Sequence, residues 1–270
     1  YSATLIPNRG AWLEFETDAQ GVINVRIDRT RKIPITILLR AIGVESNQEI
    51  IDMLGESEAL LKTIEKDLTT NKNEALLEIY KKLRPGEPPT IDSAQSLFEN
   101  MFFDDRRYDL AKVGRYKFNK KLGISARIEN NIPAEDIVDP MTGEILAEEG
   151  ELLTRVKAEK IEAAGVNQVI LKTDENYENA TENTIVIGNN FSFVDAYDLD
   201  FDMEELGFKE KVYRPLFDEL YEEYSEDTEN FKKELIKAHR ELSPKHILID
   251  DIIAGINYEF GLMNNVGEVD

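Results

Sequence analysis

Several residue types and motifs on which function is often built are missing from this 270-residue chain. It has no cysteine, which excludes disulfides and thiolate metal sites and fits a reducing compartment such as the cytoplasm. Its two histidines, His239 and His246, lie on either side of Pro244, so they do not share one helical face and do not suggest a metal site. No apolar run approaches the roughly 18 residues of a membrane span. Glycine-rich phosphate loops and the HExxH motif are also absent, so the sequence predicts no catalytic and no metal-binding residues.

Acidic residues dominate the charge, with 54 aspartates and glutamates against 32 lysines and arginines and a net charge of −22. Because phosphate repels such a chain, composition alone argues against general nucleic-acid binding. The charge is nevertheless uneven. Residues 104–121 hold seven bases against three acids, whereas residues 195–235 hold fifteen acids against five bases. The sequence therefore predicts one basic and one acidic part in the same chain.

Residues 1–40 have the pattern of strands followed by a helix. The turn residues Asp18–Gly21 separate two alternating apolar segments that begin at Trp12 and Val22, which predicts a β-hairpin. Pro34 opens an apolar run that we interpret as a buried helix. Between the hairpin and this run lies a basic cluster formed by Arg26, Arg29, Arg31 and Lys32.

Residues 45–121 have helical spacing that is interrupted once. Ser46 and Glu49 predict a capping box, and Asn73 and Thr90 are predicted caps of later helices. The segment Arg84–Pro89 holds three prolines and one glycine, which excludes a helix and predicts a stiff, projecting loop.

The character of the sequence changes near residue 126. Residues 126–190 alternate short predicted strands with one helix, and residues 191–245 are acidic and helical. A last, strongly apolar helix begins at Asp250, and we expect it to return to the core of the first part.

The predicted fold class is therefore α+β, with two interleaved parts. A mixed strand and helix lobe comprises residues 1–125 plus 246–270. It is interrupted by an inserted module at residues 126–245, which divides into a small α/β unit and an acidic helical segment. We expect deletion of the inserted module to leave a folded lobe.

Four segments, taken in order, resemble one known family: YSATLIPNRGAWLEFE, VRIDRTRKIPITILLRAIG, LRPGEPPT and RRYDLAKVGRYKFNKKL. They are similar to the lobe of the bacterial RNA polymerase β subunit, which forms part of one pincer of the DNA cleft. The resemblance covers about residues 1–123 and the ending Gly267–Asp270, and residues 126–245 look like a lineage-specific insertion. The chain begins with Tyr1 rather than Met, so we expect it to be a portion of a longer protein.

The resemblance implies a non-catalytic part of DNA-directed RNA polymerase, a nucleotidyltransferase that makes RNA from ribonucleoside triphosphates on a DNA template. In that family the partner subunit β′ holds the catalytic Mg²⁺, so no cofactor is expected in this chain. The implied partners are the β′, α and ω subunits, a sigma factor, DNA and elongation factors, in the cytoplasm and away from membranes. The fragment alone is not expected to be active.

Trp12 is the most specific candidate for a binding role. A tryptophan on a strand ordinarily supplies buried area, so a core position is the alternative interpretation. By resemblance, Trp12 stacks on an unpaired base of the non-template strand, a contact worth roughly 1–3 kcal/mol per base. Asp28, Arg29 and Arg31 would line the same pocket, because guanidinium groups bind phosphate or guanine and a carboxylate accepts a hydrogen bond from a base amine. The alternative for these residues is a solvated strand end.

Two further sets of residues are candidates for contacts. The loop made of Arg84, Pro85, Gly86, Glu87, Pro88 and Pro89 matches the family's gate loop, which faces the clamp across the cleft and contacts elongation factors in some lineages. A stiff loop loses little entropy when it docks, although a rigid turn without a partner is the alternative. The second set, which could contact duplex phosphate or pair with the acids of residues 129–162, comprises Arg106, Arg107, Arg115 and Lys117.

The inserted module at residues 126–245 has no motif that names a partner. It is either a tolerated surface insertion or a docking site for a transcription regulator. The alternative function for the whole chain is thus an acidic protein-interaction module that docks transcription regulators and makes no direct contact with nucleic acid.

Overall fold

The structure is a computed structural model that describes residues 1–173, 184–188, 193–199, 201–209 and 211–267. The polar loop that the sequence predicts between Thr173 and Thr184 lies outside the described residues.

A four-stranded antiparallel sheet opens the chain and carries the predicted hairpin. Leu13 and Phe15 are buried, whereas the glutamates between and after them are only partly buried, as a strand with one covered face requires. The carboxylate of Asp18 accepts hydrogen bonds from the backbone N–H groups of Gln20, at 2.9 Å, and Val22, at 3.0 Å, which fixes the predicted turn. The strands run in the order of the chain: β1 (Ser2–Leu5), β2 (Leu13–Thr17), β3 (Ile23–Ile27) and β4 (Ile33–Pro34).

Helices cover one side of this sheet and follow the predicted apolar stripes. The capping box of Ser46 and Glu49 is present, with both reciprocal hydrogen bonds formed. Thr90 caps the helix that follows it, as predicted. The cap predicted at Asn73 is wrong, because the side chain of Asn71 accepts the capping hydrogen bond from the backbone N–H of Glu74. The helices are α1 (Ile35–Ala41), α2 (Asn47–Leu54), α3 (Glu58–Lys66), α4 (Lys72–Leu83), α5 (Ile91–Phe102) and α6 (Ala111–Leu122).

A second group of elements forms its own hydrophobic cluster between residues 124 and 187, which Val266 joins from the other end of the chain. Its described strands pair antiparallel, β5 with β6 and β7 with β8. The short helix at its start was not predicted. The elements are α7 (Ile124–Ile128), β5 (Ile137–Val138), β6 (Ile145–Ala147), α8 (Arg155–Ala163), β7 (Gln168–Lys172) and β8 (Thr184–Gly188).

A third cluster, between residues 196 and 242, contains the acidic helices. Asp227 caps the second long helix, and its side chain accepts a hydrogen bond from the backbone N–H of Asn230 at 3.1 Å. The elements are β9 (Phe193–Asp195), β10 (Lys211–Tyr213), α9 (Arg214–Tyr224), α10 (Thr228–Lys237) and α11 (His239–Leu242).

The last helix, α12 (Ile249–Met263), is buried on almost every side, as its composition predicts. Ile252, Ile256 and Phe260 join the cluster formed by the first sheet and helices, and the helix also contacts α6 and β8. Together, these helices and strands confirm the α+β fold class. Within the described ranges, no helix has the length and apolar character needed to cross a membrane.

Candidate nucleic-acid interface

Trp12 lies at the open end of the β2–β3 hairpin, one residue before β2. It is partly buried, between the buried residues Ala11 and Leu13. The backbone N–H of Asp28 donates a hydrogen bond to the carbonyl oxygen of Trp12 at 2.9 Å, which extends the pairing of β2 with β3 by one position. Trp12 and Asp28 are therefore held opposite each other by the sheet itself.

Asp28 and Arg29 form a tight turn after β3. Their φ angles are +49° and +63°, and the N–H of Thr30 donates to the carbonyl oxygen of Ile27 at 3.0 Å. Two consecutive positive φ angles are the pattern of a type I′ turn, which favours asparagine and glycine. Neither residue is glycine, so the conformation costs about 1 kcal/mol or more at each position. Both side chains are exposed.

The Arg29 guanidinium covers the Trp12 indole. Its central carbon, Cζ, lies 5.0 Å from the ring centroid. A cation over an exposed aromatic ring is worth roughly 0.5–1 kcal/mol. Two of the predicted site residues are thus in direct contact, with a third, Asp28, beside them.

Carboxylates neutralise part of the basic cluster. Arg26 pairs with Glu16 at 3.2 Å, and Lys32 lies 3.6 Å from Glu16. Arg31 is exposed and makes no ion pair or hydrogen bond with any residue that the structure describes. Arg29 and Arg31 are therefore the members of this cluster that have no carboxylate partner among the described residues.

The predicted gate loop projects from the end of α4. Gly86 has a φ of +92° and no atom near the position a Cβ would take, so its role is conformational. The Tyr80 hydroxyl donates to Glu87 at 2.9 Å, a hydrogen bond that raises the pKa of Tyr80. Every residue of the loop is exposed except Pro89, which is partly buried. The loop is thus accessible to a partner and held at its base.

Arg106, Arg107 and Lys117 are exposed, and Arg107 lies 3.7 Å from Asp104. They stay candidates for phosphate contact. They are separated in sequence from Trp12, but two backbone hydrogen bonds between Arg9 and Asp109, at 3.0 and 2.8 Å, join the segment before Trp12 to the segment that carries Arg106 and Arg107.

The prediction that Arg115 reaches duplex phosphate is wrong, because its side chain is buried. The guanidinium donates to both carboxylate oxygens of Asp251, at 2.8 and 2.9 Å, and to the backbone carbonyls of Pro244 and His246. Its Cζ also lies 5.1 Å from the ring centroid of Phe193. All its donors point inward, so Arg115 holds α6 to α12. It does not pair with the acids of residues 129–162 either.

Sequence reasoning also missed the burial of Arg127. It donates to the side-chain oxygen of Asn257 at 2.9 Å and to the carbonyl of Gly188 at 2.6 Å. Burial lowers its pKa to about 10. The sequence held one signal for this contact: Asn257 lies inside the apolar helix α12, and a buried polar side chain needs a hydrogen-bond partner.

α12 also carries two carboxyl groups with perturbed pKa values. Burial, reinforced by the neighbouring Asp251, raises the pKa of Asp250 to about 6. Burial raises the pKa of Glu259 to about 8, and its only hydrogen-bond partner among described residues is the hydroxyl of Thr17, at 3.4 Å. In the described part of the chain no group of three or more His, Cys, Asp or Glu residues is arranged to hold a metal.

The geometry presents an aromatic ring and exposed guanidiniums at the end of the two inner strands of an α+β domain. The sequence profile of the family described as RNA polymerase Rpb2, domain 2, matches residues 1–142, which is more than half of the chain. The chain belongs to this family.

Curated relatives carry the name DNA-directed RNA polymerase subunit beta. The chain is 54% identical to the protein of that name from Clostridioides difficile and 53% identical to that from Clostridium acetobutylicum, in both cases over 270 residues and all of this chain. A Clostridium botulinum relative is 54% identical over 271 aligned residues. The chain spans 21% of the length of each relative.

The extent of these matches bears on the inserted module. The family profile continues past residue 125, and the alignments include residues 126–245. The three relatives therefore share this segment. Its division from the lobe as a separate domain stays a prediction.

Proposed function

We propose that this chain is the lobe region of an RNA polymerase β subunit and that its Trp12 edge holds the non-template DNA strand. The parent enzyme would synthesise RNA from ribonucleoside triphosphates on a DNA template, in the cytoplasm. The lobe would guide downstream DNA and the displaced strand without catalysing the reaction. The observation that carries the proposal is the contact between Trp12 and Arg29 at the open end of the β2–β3 hairpin, in a chain of this family.

The chemistry of this edge suits a single strand rather than a duplex. An indole stacks on any unpaired base, because every base has a π-face. Arg29 and Arg31 offer charge-assisted hydrogen bonds to phosphate, and the Asp28 carboxylate can accept a hydrogen bond from a base amine. A net charge of −22 opposes wider contact with DNA, so binding would be local.

Other partners follow from the same proposal. The gate loop Arg84–Pro89 would face the clamp across the cleft and contact elongation factors. The β′, α and ω subunits and a sigma factor would complete the assembly, and β′ would hold the Mg²⁺ that serves catalysis.

The test replaces Trp12 by alanine in the intact polymerase. We expect shorter-lived open complexes or altered pausing, because the stacking contact is worth roughly 1–3 kcal/mol. The measurement is open-complex lifetime, with circular dichroism and thermal unfolding of the isolated lobe as the folding control. Unfolding of the variant lobe would instead assign Trp12 to the core and remove the proposed role.

A second function is favoured by the acidic surface of α9 and α10. The first of these helices, α9, carries four acidic residues: Asp218, Glu219, Glu222 and Glu223. This part could dock a basic transcription regulator without nucleic-acid contact. If that were the only role, Trp12→Ala would leave open complexes unchanged.

A further inference from the structure

The contact between Arg29 and Trp12 has a consequence for how a base would reach the ring. We propose that Arg29 is a displaceable cap: it occupies the stacking face of Trp12 in the free chain and leaves that face when a nucleotide brings both a base and a phosphate. The inference rests on the proposed function and adds the regulation of the same site.

The backbone places the cap independently of the side chains. The hydrogen bond from Asp28 N–H to the carbonyl oxygen of Trp12, at 2.9 Å, fixes the distance between the two segments. The next residue, Arg29, is then aimed by its left-handed conformation, with a φ of +63°. Strained backbone of this kind persists only where the surrounding structure holds it. The turn therefore starts the Arg29 side chain next to Trp12, and from there the guanidinium reaches the indole.

The cap is weakly held at its charged end. Within the described ranges Arg29 makes no ion pair with a carboxylate, although Glu16 and Asp18 bind the neighbouring cations Arg26 and Lys32. The indole is thus the one described partner of the Arg29 guanidinium. The Arg29 side chain can therefore rotate away from the indole when an anion or a different ring replaces that contact.

A base and a guanidinium compete for the same face, because both are flat and both stack on an aromatic ring. A nucleoside without phosphate would displace Arg29 and give it no new partner. A nucleotide in a strand supplies a phosphate that the released guanidinium can bind. The ligand class is therefore a single-stranded oligonucleotide, and free bases should bind poorly.

Arg31 is the matched comparison. It lies two residues further along, is exposed, and has no charged partner among the described residues, but it does not cover the ring. Replacing either arginine removes one positive charge from the same loop. Only the replacement of Arg29 should uncover Trp12.

The first experiment needs no ligand. Trp12 is the single tryptophan of the chain, so intrinsic fluorescence reports this site alone. We expect the acrylamide quenching constant to rise by about 1.5- to 2-fold in Arg29→Gly, because the cation no longer shields the ring. Glycine suits a φ of +63°, so this variant keeps the turn, and Arg29→Ala provides a second replacement. Arg31→Ala should leave the constant unchanged. Equal quenching of the parent, R29G and R29A would overturn the cap.

The second experiment titrates each protein at low salt with a short oligodeoxythymidine and with an abasic oligomer of equal length. Both Arg29→Gly and Arg31→Ala lose one cation, so the abasic oligomer serves as the reference for lost charge in each variant. We expect R29G to bind the base-containing oligomer about two- to fivefold more tightly than R31A, because the base no longer competes with the guanidinium. Equal or weaker binding by R29G would overturn the cap.

The two proposals fail in different ways. If the base-containing and abasic oligomers bind alike and neither changes Trp12 emission, base stacking is refuted, and the acrylamide result still decides whether Arg29 covers the ring. If the base-containing oligomer changes the emission equally in all variants, stacking stands and the cap is refuted.

Discussion

Arg115 and Asp251 form a buried ion pair that joins α6, near the middle of the chain, to α12, near its end. The two residues are 136 positions apart, and one guanidinium nitrogen of Arg115, Nη1, bonds to both carboxylate oxygens. The remaining Arg115 donors go to the carbonyls of Pro244 and His246. Arg115 thus stabilises the core, although its position in a basic segment suggests an exposed side chain.

The first prediction concerns this pair. Arg115→Met should lower the free energy of unfolding by about 3–5 kcal/mol, because it leaves the Asp251 charge buried and unpaired. Guanidinium chloride denaturation measures the change. The double variant Arg115→Met with Asp251→Asn should recover part of the loss, since no charge then remains unpaired. A change below about 0.5 kcal/mol in the single variant, typical of a surface position, would contradict the burial.

The second prediction concerns the contact between the inserted module and α12. Asn257 accepts hydrogen bonds from Arg127 and from the N–H of Gly188, and it donates to the carbonyl of Val186 at 3.0 Å. Asn257→Ala should cost roughly 2–4 kcal/mol, because buried donors and an acceptor lose their partner. A double-mutant cycle with Arg127→Met measures the coupling. Additive losses of stability would show that the two side chains are not energetically coupled.

That network also changes the expectation for deleting residues 126–245. The deletion removes Arg127, Gly188 and the packing partners of Val266, which belongs to the second cluster. We therefore expect the shortened lobe to unfold at a lower denaturant concentration than the full chain. Equal midpoints and slopes for the two proteins would show that the module is energetically independent.

The third prediction follows from Glu259, whose pKa burial raises to about 8 from an ordinary value of 4.5. The folded state binds the proton more tightly than the unfolded state, so this contribution to stability is fully present below about pH 4.5 and is lost as pH rises towards 8. The loss is of the order of a few kcal/mol. Unfolding midpoints measured from pH 5 to pH 8 should fall in the parent chain.

The control for this pH dependence is Glu259→Gln, which keeps the shape and cannot ionise. Its midpoints should vary less with pH across the same range. Asp250, with a pKa of about 6, contributes a smaller change of the same sign at lower pH. Parallel curves for the parent and E259Q would place the titration elsewhere.

The fourth prediction concerns the exposed arginines Arg106 and Arg107. The isolated chain should bind duplex DNA weakly at physiological salt, because its net charge opposes the contact. If Arg106 and Arg107 contact phosphate, replacing both with alanine should reduce the slope of log affinity against log salt by about 2. Filter binding at several salt concentrations measures the slope. Tight binding by the parent chain would refute the prediction.

The sequence was sufficient for features that depend on local chemistry. The capping box of Ser46 and Glu49, the turn at Asp18 and the projecting loop after α4 are all present, because each is decided within a few residues. The apolar composition of α12 also predicted its burial.

Long-range pairing was beyond the same reasoning. Nothing near Arg115 or Arg127 in the sequence indicates a partner more than 120 positions away, and burial of a charge is uncommon without one. The left-handed turn at Asp28 and Arg29 was also missed, since neither residue is the glycine or asparagine that usually signals it. The candidate edge was found through family resemblance, and its internal contact became visible only in three dimensions.

The packing of α12 against the first strands determines when the sheet can complete its core during synthesis. Thr17 and Glu259 meet across 242 positions. A ribosome that adds about 5–20 residues per second would make β2 roughly 10–50 s before α12 emerges. During that interval the nascent sheet lacks the helix α12 that packs against it. The hydrophobic cluster between residues 196 and 242, in contrast, can form as soon as it is translated. Premature termination before α12 should therefore yield a chain that chaperones retain.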